Sequence, residues 1–353
     1  MAACPLPSLE QVIAGDLIAG DLAQSPGGEP HVELAIYGFA DPTRLARLLD
    51  ACCLRLLGSH VRGALFYQSS VGAVAGVELT DGRRVVLKAY QPDRSFERLQ
   101  EVARLQRCLA QHGCLAPPVL AGPEPLGRGH LLIEAHVARG ETRDGHEPAI
   151  RAAIARSLHA VSTALSPLVA SSSLPPHALA LLPPDRLWPT PHSKLFDFEA
   201  TLAGAEEIDA LARLARPRML PVGAVVLGHS DWRAEHLRFE GQRPVAAFDW
   251  DSLCKSHEPE LVGFIAHGFC ADWSRSGHVQ APTLAEARAF VDEYEAARGT
   301  AFTAAERRAL GAAFAYSVAY SSRCGHAYGK HEREKPGTFH HLLASHGEQL
   351  LDL

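Results

Sequence analysis

Two short apolar runs, each followed by acidic residues, constrain this chain more than any other feature of its sequence. The first run, residues 225–227, leads through Gly228 into the polar segment 229–236, His-Ser-Asp-Trp-Arg-Ala-Glu-His. The second run, residues 245–248, leads into the segment 249–251, Asp-Trp-Asp. Such runs predict buried strands, so each polar segment is expected where a strand ends and a loop begins. Carboxylates that converge on such loops can activate a hydroxyl group and hold a divalent cation.

Length and composition describe a globular protein with room for two domains. The chain has 353 residues, of which 47% are hydrophobic and 21% charged, enough for two separate cores. A net charge of −6, without any run rich in lysine or arginine, argues against a nucleic-acid partner. The N-terminus lacks a signal-peptide pattern, and prolines and serines interrupt the apolar stretch 159–184. We therefore expect a cytoplasmic protein with no membrane partner.

The order of predicted elements indicates an α+β fold with a β-rich N-lobe and a mainly helical C-lobe. We expect an N-terminal extension over residues 1–60, an N-lobe over 61–135 and a C-lobe over 136–353. Asp81-Gly82 predicts a hairpin turn, and residues 166–193, rich in proline and serine, predict a long loop. Predicted strands are 32–37, 64–67, 74–79, 84–90, 130–133, 225–227 and 245–248, and predicted helices are 43–57, 95–111, 147–165, 199–215, 284–298, 304–323 and 338–351.

The predicted N-lobe contains a lysine within an apolar strand. Lys88 lies in Val-Val-Leu-Lys-Ala-Tyr, where a lone lysine is commonly an edge residue whose amine reaches solvent. The following helix carries Glu97 and Glu101 on one face, and either carboxylate could hold Lys88 towards phosphate oxygens, with Glu101 preferred. The small-residue loop that includes Ser70 and Gly72 is either a plain hairpin turn or a phosphate-binding loop.

The two polar segments supply the remaining candidates. Asp231 is either a turn residue or the base that accepts a proton from an attacking hydroxyl. Asp249, which ends an apolar strand, is the better candidate for a Mg²⁺ ligand. Asp251 is a second ligand or shapes the loop. We expect His229 to brace the loop through hydrogen bonds, two residues before the candidate base.

Taken together, these residues resemble the aminoglycoside phosphotransferase and choline kinase-like family, which has the protein-kinase fold. His229 and Asp231 match the start of its His-x-Asp-x-x-x-x-Asn loop, Asp249 its metal-binding aspartate, and Lys88 its strand lysine. Residues 131–137 resemble the hinge whose backbone binds adenine, and residues 115–120 its P-x-V-L segment. The resemblance covers about residues 61–270.

The resemblance implies an ATP-dependent kinase that transfers the γ-phosphate to a hydroxyl group of a small metabolite or antibiotic. ATP would lie between the two lobes, and the protein would act as a monomer or a homodimer. The implied cofactors are ATP and Mg²⁺, with Mn²⁺ as an alternative. The implied sites are Asp231 and His229 for catalysis, Lys88, Glu101, Ser70, Gly72, Glu134 and His136 for the nucleotide, and Asp249, His236 and Asp251 for the metal.

His236 departs from the family pattern, because it occupies the position of the asparagine that normally holds a metal ion. An imidazole suits softer metals than Mg²⁺. The kinase could therefore have an altered second metal site, use a single metal, or be a nucleotide-binding protein without activity. A metallohydrolase with His229, Asp231, His236 and Asp249 as zinc or manganese ligands is a further alternative, although it leaves Lys88 and the hinge unexplained.

Overall fold

The structure is a computed structural model. It describes residues 6–19, 31–177, 182–183, 185–191, 193, 195–330 and 332–353. The structure describes the predicted loop at 166–193 except for residues 178–181, 184 and 192. By its internal contacts the chain divides into two units, one of residues 1–112 and 116–138 and the other of residues 113–115 and 139–353.

The first unit is built around an antiparallel sheet of five strands. The strand order is β1-β2-β3-β5-β4, and the predicted hairpin at Asp81-Gly82 is confirmed, with Gly82 at φ 85°. The helix predicted at 95–111 is also confirmed, and Ser95 caps its N-terminus by accepting a hydrogen bond from the backbone N–H of Arg98. The elements are β1 (Val61–Ser69), β2 (Ala73–Leu79), β3 (Arg84–Tyr90), β4 (Val119–Leu126), β5 (Gly129–Ala135) and the helix that we number α4 (Phe96–Gln111).

Three helices precede the sheet, namely α1 (Leu9–Ala19), α2 (His31–Tyr37) and α3 (Pro42–Leu57). Their apolar side chains, among them Ile13, Ile36 and Leu49, share one core with the sheet residues Leu87 and Ile133. The N-terminal helices therefore cover one face of the sheet, and α4 packs on the other through a smaller core.

The strand predicted at residues 32–37 is wrong, because this segment is the helix α2. Val32 and Ile36 lie four residues apart and are both fully buried, so they share one face of a helix. The side chain of Glu33 is also buried. A run of six residues is too short for its pattern to separate a strand from a buried helical turn.

The second unit is mainly helical. The predicted helices at 147–165, 284–298 and 304–323 are confirmed, and the one expected at 199–215 begins only at Glu206. Its helices are α5 (Pro148–Leu165), α6 (Glu206–Ala215), α7 (Glu258–Ala266), α8 (Leu284–Arg298), α9 (Ala304–Ala327) and α10 (Phe339–His346). The α+β class predicted from the sequence is confirmed.

Two small antiparallel strand pairs lie within this helical unit. They are formed by β6 (Val225–His229) with β9 (Leu253–His257), and by β7 (Leu237–Glu240) with β8 (Arg243–Ala247). The strands expected at 225–227 and 245–248 are therefore confirmed. Within the described ranges, no helix combines the length and the apolar composition that a bilayer crossing requires.

Candidate active site

The loop after β6 carries the first polar segment and is tied to the strand that follows the second segment. His229 ends β6 and pairs with Leu253 of β9. One residue later, the backbone N–H and the hydroxyl of Ser230 both donate to the carbonyl of Ser252, at 3.0 and 2.9 Å. The loop therefore leaves the strand at a defined point, immediately before Asp231.

The hairpin of β7 and β8 brings the two polar segments together. Leu237 pairs with Ala247, and the backbone N–H of Phe248 donates to the carbonyl of His236 at 2.9 Å. The last residue of the first segment thus lies beside the start of the second. Asp249 follows with φ 63°, in the left-handed region that non-glycine residues seldom adopt, and such conformations are enriched at functional sites.

Asp231, His236 and Asp249 form one group of ligand atoms. A carboxylate oxygen from each aspartate and a ring nitrogen of His236 all lie within 4.8 Å of one another. The three residues are partly buried, so the group remains open to small solutes. Asp251, in the turn after Asp249, is not part of this group.

Arg233 places a cation inside the same group. Its Nη1 donates to Asp231 Oδ1 at 2.5 Å, and its Nε donates to Glu235 Oε2 at 3.1 Å. Its Nη2 lies 3.1 Å from His236 Nε2. Burial opposes the charge of the guanidinium, but the carboxylates of Asp231, Glu235 and Asp249 raise its pKa above the usual value. The cluster therefore contains a permanent positive charge that sequence analysis missed.

The ring of His236 is held from both sides. Its Nδ1 lies 2.9 Å from the carbonyl oxygen of Asp231, which can only accept, so Nδ1 is the protonated nitrogen. The lone pair on Nε2 then faces the Nη2 group of Arg233. As the structure stands, this nitrogen is engaged by a guanidinium.

His229 is fully buried and braces the loop. Its Nδ1 accepts from the backbone N–H of Asp231 at 3.2 Å, and its Nε2 donates to the carbonyl of Phe248 at 2.9 Å. The rings of Trp232 and Trp250 meet it edge to face. Burial, assisted by the nearby His236, lowers the pKa of His229 to about 4, so the ring is neutral near pH 7. Both nitrogens are occupied internally, which disfavours the four-ligand zinc or manganese site of a metallohydrolase.

In the first unit, Lys88 lies beside Glu134, a buried residue of the predicted adenine hinge. The Nζ of Lys88 is 3.7 Å from Glu134 Oε1, and their side chains are only 9% and 3% exposed. Gln106 of α4 donates to the same oxygen at 2.9 Å and to the carbonyl of Pro117 at 3.0 Å. Glu134 therefore belongs to a buried polar network around the lysine.

Glu101 lies on the buried face of α4 and binds Arg104. The Nε and Nη2 groups of Arg104 donate to its two carboxylate oxygens at 2.7 and 2.8 Å. This bidentate pair is the geometry that guanidinium and carboxylate groups favour. The pairing of Glu101 with Lys88 stays a prediction.

The turn with Ser70 and Gly72 packs closely against β3. The backbone N–H of Ser70 donates to the carbonyl of Gly72 at 3.0 Å, and a Cβ at Gly72 would lie 2.8 Å from the carbonyl oxygen of Ala89. Glycine is required here for close approach. Phosphate binding by this turn stays a prediction.

The predicted hinge follows β5. The backbone N–H of Ala135 donates to the carbonyl of Pro118, and that of His136 donates to the carbonyl of Arg84. Burial and the charge of Arg84 lower the pKa of His136. These two backbone donors are thus already used within the sheet.

Comparison with known proteins identifies the family. Residues 75–310 match the phosphotransferase enzyme family, which is two thirds of the chain. The chain belongs to this family. It is therefore a small-molecule kinase that acts on a hydroxyl acceptor, as the sequence resemblance implied. A search of curated protein sequences finds no significant match.

Solved structures of other phosphotransferases share the fold. The chain is 13% identical to a thermostable mutant of aminoglycoside phosphotransferase APH(4)-Ia, with 86% of this chain and 98% of that one covered and a TM-score of 0.51. It is 17% identical to the macrolide 2′-phosphotransferase MphH of Brachybacterium faecium, with 84% and 97% covered and a TM-score of 0.50. It is 12% identical to the amicoumacin kinase hAmiN, solved with AMP-PNP, Ca²⁺ and Ami, with 79% and 91% covered and a TM-score of 0.50. The predicted two-lobed protein-kinase-like fold is confirmed.

Within this phosphotransferase, sequence reasoning did not predict the role of Arg233 or the position of Glu134 in the network around Lys88. Arg233 stands two residues after Asp231 and two before Glu235 in the quoted segment, and its charge between two acidic neighbours was the available signal. Glu134 gave no such signal, because its place beside Lys88 depends on the register between β3 and β5, in which Lys88 pairs with Leu132.

Proposed function

We propose that the chain is an ATP-dependent kinase that transfers the γ-phosphate of ATP to a hydroxyl group of a small metabolite or antibiotic. The observation that carries this proposal is the grouping of Asp231, His236 and Asp249 within 4.8 Å, with Arg233 bound to the first aspartate. Carboxylates and a fixed cation in one partly buried cluster provide a base and charge stabilisation for phosphoryl transfer. We also propose a cytoplasmic location, where ATP would be available.

Asp231 is the proposed base. Its Oδ1 is held by Arg233, while Oδ2 lies 3.6 Å from His236 Nδ1. Oδ2 is thus the oxygen assigned to the acceptor hydroxyl. As the acceptor oxygen forms its bond to the γ-phosphorus, the bond from that phosphorus to the leaving ADP oxygen breaks. The hydroxyl proton passes to Asp231.

A divalent cation fits the oxygen donors of the cluster. Asp249 supplies carboxylate oxygens, which Mg²⁺ prefers, and AMP-PNP and Ca²⁺ are bound in hAmiN. His236 is a poorer donor for Mg²⁺, since its Nε2 faces Arg233. When bound, the ion would neutralise negative charge on the phosphates. Arg233 contributes a second positive charge that belongs to the protein itself.

Lys88 is the proposed nucleotide-binding residue of the first unit. The buried Glu134 restrains its ammonium group, which limits the entropy lost when phosphate oxygens bind. The backbone donors of Ala135 and His136 are used within the sheet. We therefore assign adenine binding to backbone groups beyond His136 and no longer to Glu134.

The decisive experiment separates nucleotide binding from transfer. A thermal-shift screen crosses ATP–Mg²⁺ with a panel of hydroxylated metabolites and antibiotics, and ADP release is then measured with each acceptor that shifts the midpoint further. Asp231→Asn should lower turnover by at least about 1000-fold, while AMP-PNP should still stabilise the protein. Asp292→Asn, which alters a side chain 70% exposed, is the matched control and should retain activity.

Two outcomes would contradict the proposal. A folded wild-type protein that no nucleotide stabilises would exclude ATP dependence. An Asp231→Asn protein with wild-type turnover would exclude the assigned base. Nucleotide stabilisation without transfer to any acceptor would instead favour the nucleotide-binding alternative.

A further inference from the structure

A second cluster of potential metal ligands lies in the helical unit, outside the group around Asp231. One carboxylate oxygen of Asp144 and one ring nitrogen each of His146 and His278 lie within 4.8 Å of one another. These residues line a cavity of about 400 Å³. The proposed kinase reaction does not use them, so the cluster needs its own explanation.

The backbone brings the two segments of this cluster into close contact. A Cβ at Gly145 would lie 2.6 Å from the Cα of Cys270, so only glycine allows this approach. The rings of His146 and His278 have their centroids 5.7 Å apart. Asp144 Oδ1 accepts the backbone N–H of His146 at 3.0 Å, which leaves the other oxygen, Oδ2, for a ligand.

His278 is oriented in the way that metal-binding histidines usually are. Its Nε2 lies 2.9 Å from the carbonyl oxygen of Cys270. A carbonyl only accepts, so Nε2 carries the proton and the lone pair is on Nδ1. A backbone carbonyl on the opposite ring nitrogen is a common outer partner of a metal-bound imidazole.

His146 has an acceptor oxygen at each ring nitrogen. Its Nδ1 lies 3.0 Å from Glu286 Oε1, and its Nε2 lies 3.1 Å from the carbonyl oxygen of Val279. A neutral imidazole can donate only once. One of these two acceptors therefore lacks a donor from a neutral ring, and a metal ion shared by Nε2 and the carbonyl oxygen of Val279 would satisfy both.

Glu286 is fixed as the outer partner of His146. Its Oε2 accepts from the backbone N–H and the hydroxyl of Thr283, at 2.8 and 2.9 Å, in the capping box of α8. The carboxylate can therefore hold the proton of Nδ1 and direct Nε2 towards a metal.

We propose that Asp144, His146 and His278 form a structural site for a borderline divalent ion, with Zn²⁺ preferred. Two imidazoles and one carboxylate suit Zn²⁺ better than Mg²⁺. The bound ion would fasten the segment that contains His278 to the loop before α5 and, through Glu286, to the start of α8. It would stabilise the helical unit without taking part in phosphoryl transfer.

Arg275 lines the same cavity and provides an internal test. Its positive charge opposes a bound cation, whereas it would strengthen the binding of an anion. Arg275→Gln should therefore tighten Zn²⁺ binding several-fold. If the cavity instead binds inorganic phosphate and no Zn²⁺, and Arg275→Gln removes that affinity for phosphate, the cavity is an anion site and the proposal fails.

The binding experiment uses the full chain with Asp231→Asn and Asp249→Asn, so that ions at the first group do not contribute. After treatment with a chelator, Zn²⁺ is titrated in competition with a chromophoric indicator, and the melting temperature is recorded in parallel. We expect one Zn²⁺ per chain and a higher melting temperature with the ion. Co²⁺ should give visible absorption bands of a nitrogen- and oxygen-ligated site.

Substitutions in this background locate the ion. His278→Gln should weaken Zn²⁺ binding by at least about 100-fold, since changes of outer partners alone cost 10–100-fold. Asp144→Asn is the second variant if the first fails to fold. His60→Gln, at an exposed histidine paired with Asp50, should bind Zn²⁺ like the parent. Absence of Zn²⁺ binding in the parent, or ligand variants that bind Zn²⁺ as tightly as the parent, would overturn the site.

Discussion

At the residue scale, Arg233 changes the interpretation of His236. The sequence left three explanations for a histidine at the family's asparagine position. In the structure its Nδ1 donates to the carbonyl of Asp231, and its Nε2 faces the guanidinium. A nitrogen whose lone pair is already engaged is a poor metal ligand. For the proposed kinase, this geometry favours the alternative with a single metal ion, and Arg233 would supply the charge that a second ion would bring.

Arg233→Met should lower kcat by about 100-fold, the loss expected when one preorganised donor is removed from a phosphoryl-transfer site. Arg233→Lys keeps the charge but not the forked guanidinium that reaches Asp231 and His236 together. Its kcat should therefore fall between those of the wild type and Arg233→Met. Steady-state kinetics with the best acceptor from the screen measures both. Arg243→Met, at a side chain 73% exposed, is the control, and a kcat unchanged in Arg233→Met would remove Arg233 from the reaction.

The grouping of Asp231, His236 and Asp249 could be predicted because strand ends are visible as short apolar runs. The partners of individual side chains could not. Glu134 was expected to lie at a hinge, but its carboxylate lies 3.7 Å from the amine of Lys88. That contact depends on the register between β3 and β5, which the residue pattern of either strand alone does not specify.

At the element scale, prediction failed where the local pattern was short or interrupted. The strand β4 contains two prolines and a glycine, as edge strands tolerate, and it was not predicted. The strand β9 and the helix α7 were also missed, since each is brief. The long helices α5, α8 and α9 were predicted because their apolar period extends over several turns.

Glu33, in the short helix α2, makes the stability of the folded protein depend on pH. The side chain is fully buried, and one of its oxygens accepts the hydroxyl of Tyr67 at 3.0 Å. Burial raises the pKa of Glu33 above its ordinary value of 4.5, so the folded state binds this proton more tightly than the unfolded state. The protonated side chain of Glu33 therefore stabilises the folded state. This contribution is complete below pH 4.5 and is lost as pH rises through the raised pKa of Glu33.

Glu33→Gln should therefore stabilise the protein relative to wild type at pH 8, with a smaller difference near pH 5. The amide oxygen can still accept from Tyr67 but carries no charge. Urea unfolding at both pH values measures the difference. Glu97→Gln, on the exposed side of α4, should give no such trend, and a constant difference between wild type and Glu33→Gln would contradict the assignment.

At the scale of the whole molecule, each unit has its own buried residues. The order of strands followed by helices predicted this organisation, because period-two and period-3.6 patterns separate along the chain. The contribution of the first sixty residues was not predicted. Their helices complete the core on one face of the sheet, so an N-terminal extension defined from sequence is part of the first unit in the structure.

In the helical unit, α7 and α9 approach each other closely, so a larger side chain at their contact should lower stability. Gly263 of α7 lies against α9, and a Cβ there would be 2.3 Å from the carbonyl oxygen of Leu310. Gly263→Ala should force the helices apart and destabilise this unit by about 1–3 kcal/mol. Gly325→Ala, in α9, would meet only the end of the Glu332 side chain at 4.0 Å. It should be neutral or slightly stabilising, because alanine favours a helix.

Hydrogen exchange shows how far that destabilisation spreads. Because the amides of β1 to β5 belong to a separate core, Gly263→Ala should accelerate exchange in α7 and α9 while protection of the sheet stays near its wild-type value. Equal acceleration in both units would mean that they unfold in one cooperative step. In that case, a substitution in the helical unit would also weaken the sheet that carries Lys88, and stability could not be tuned in one unit without affecting the other.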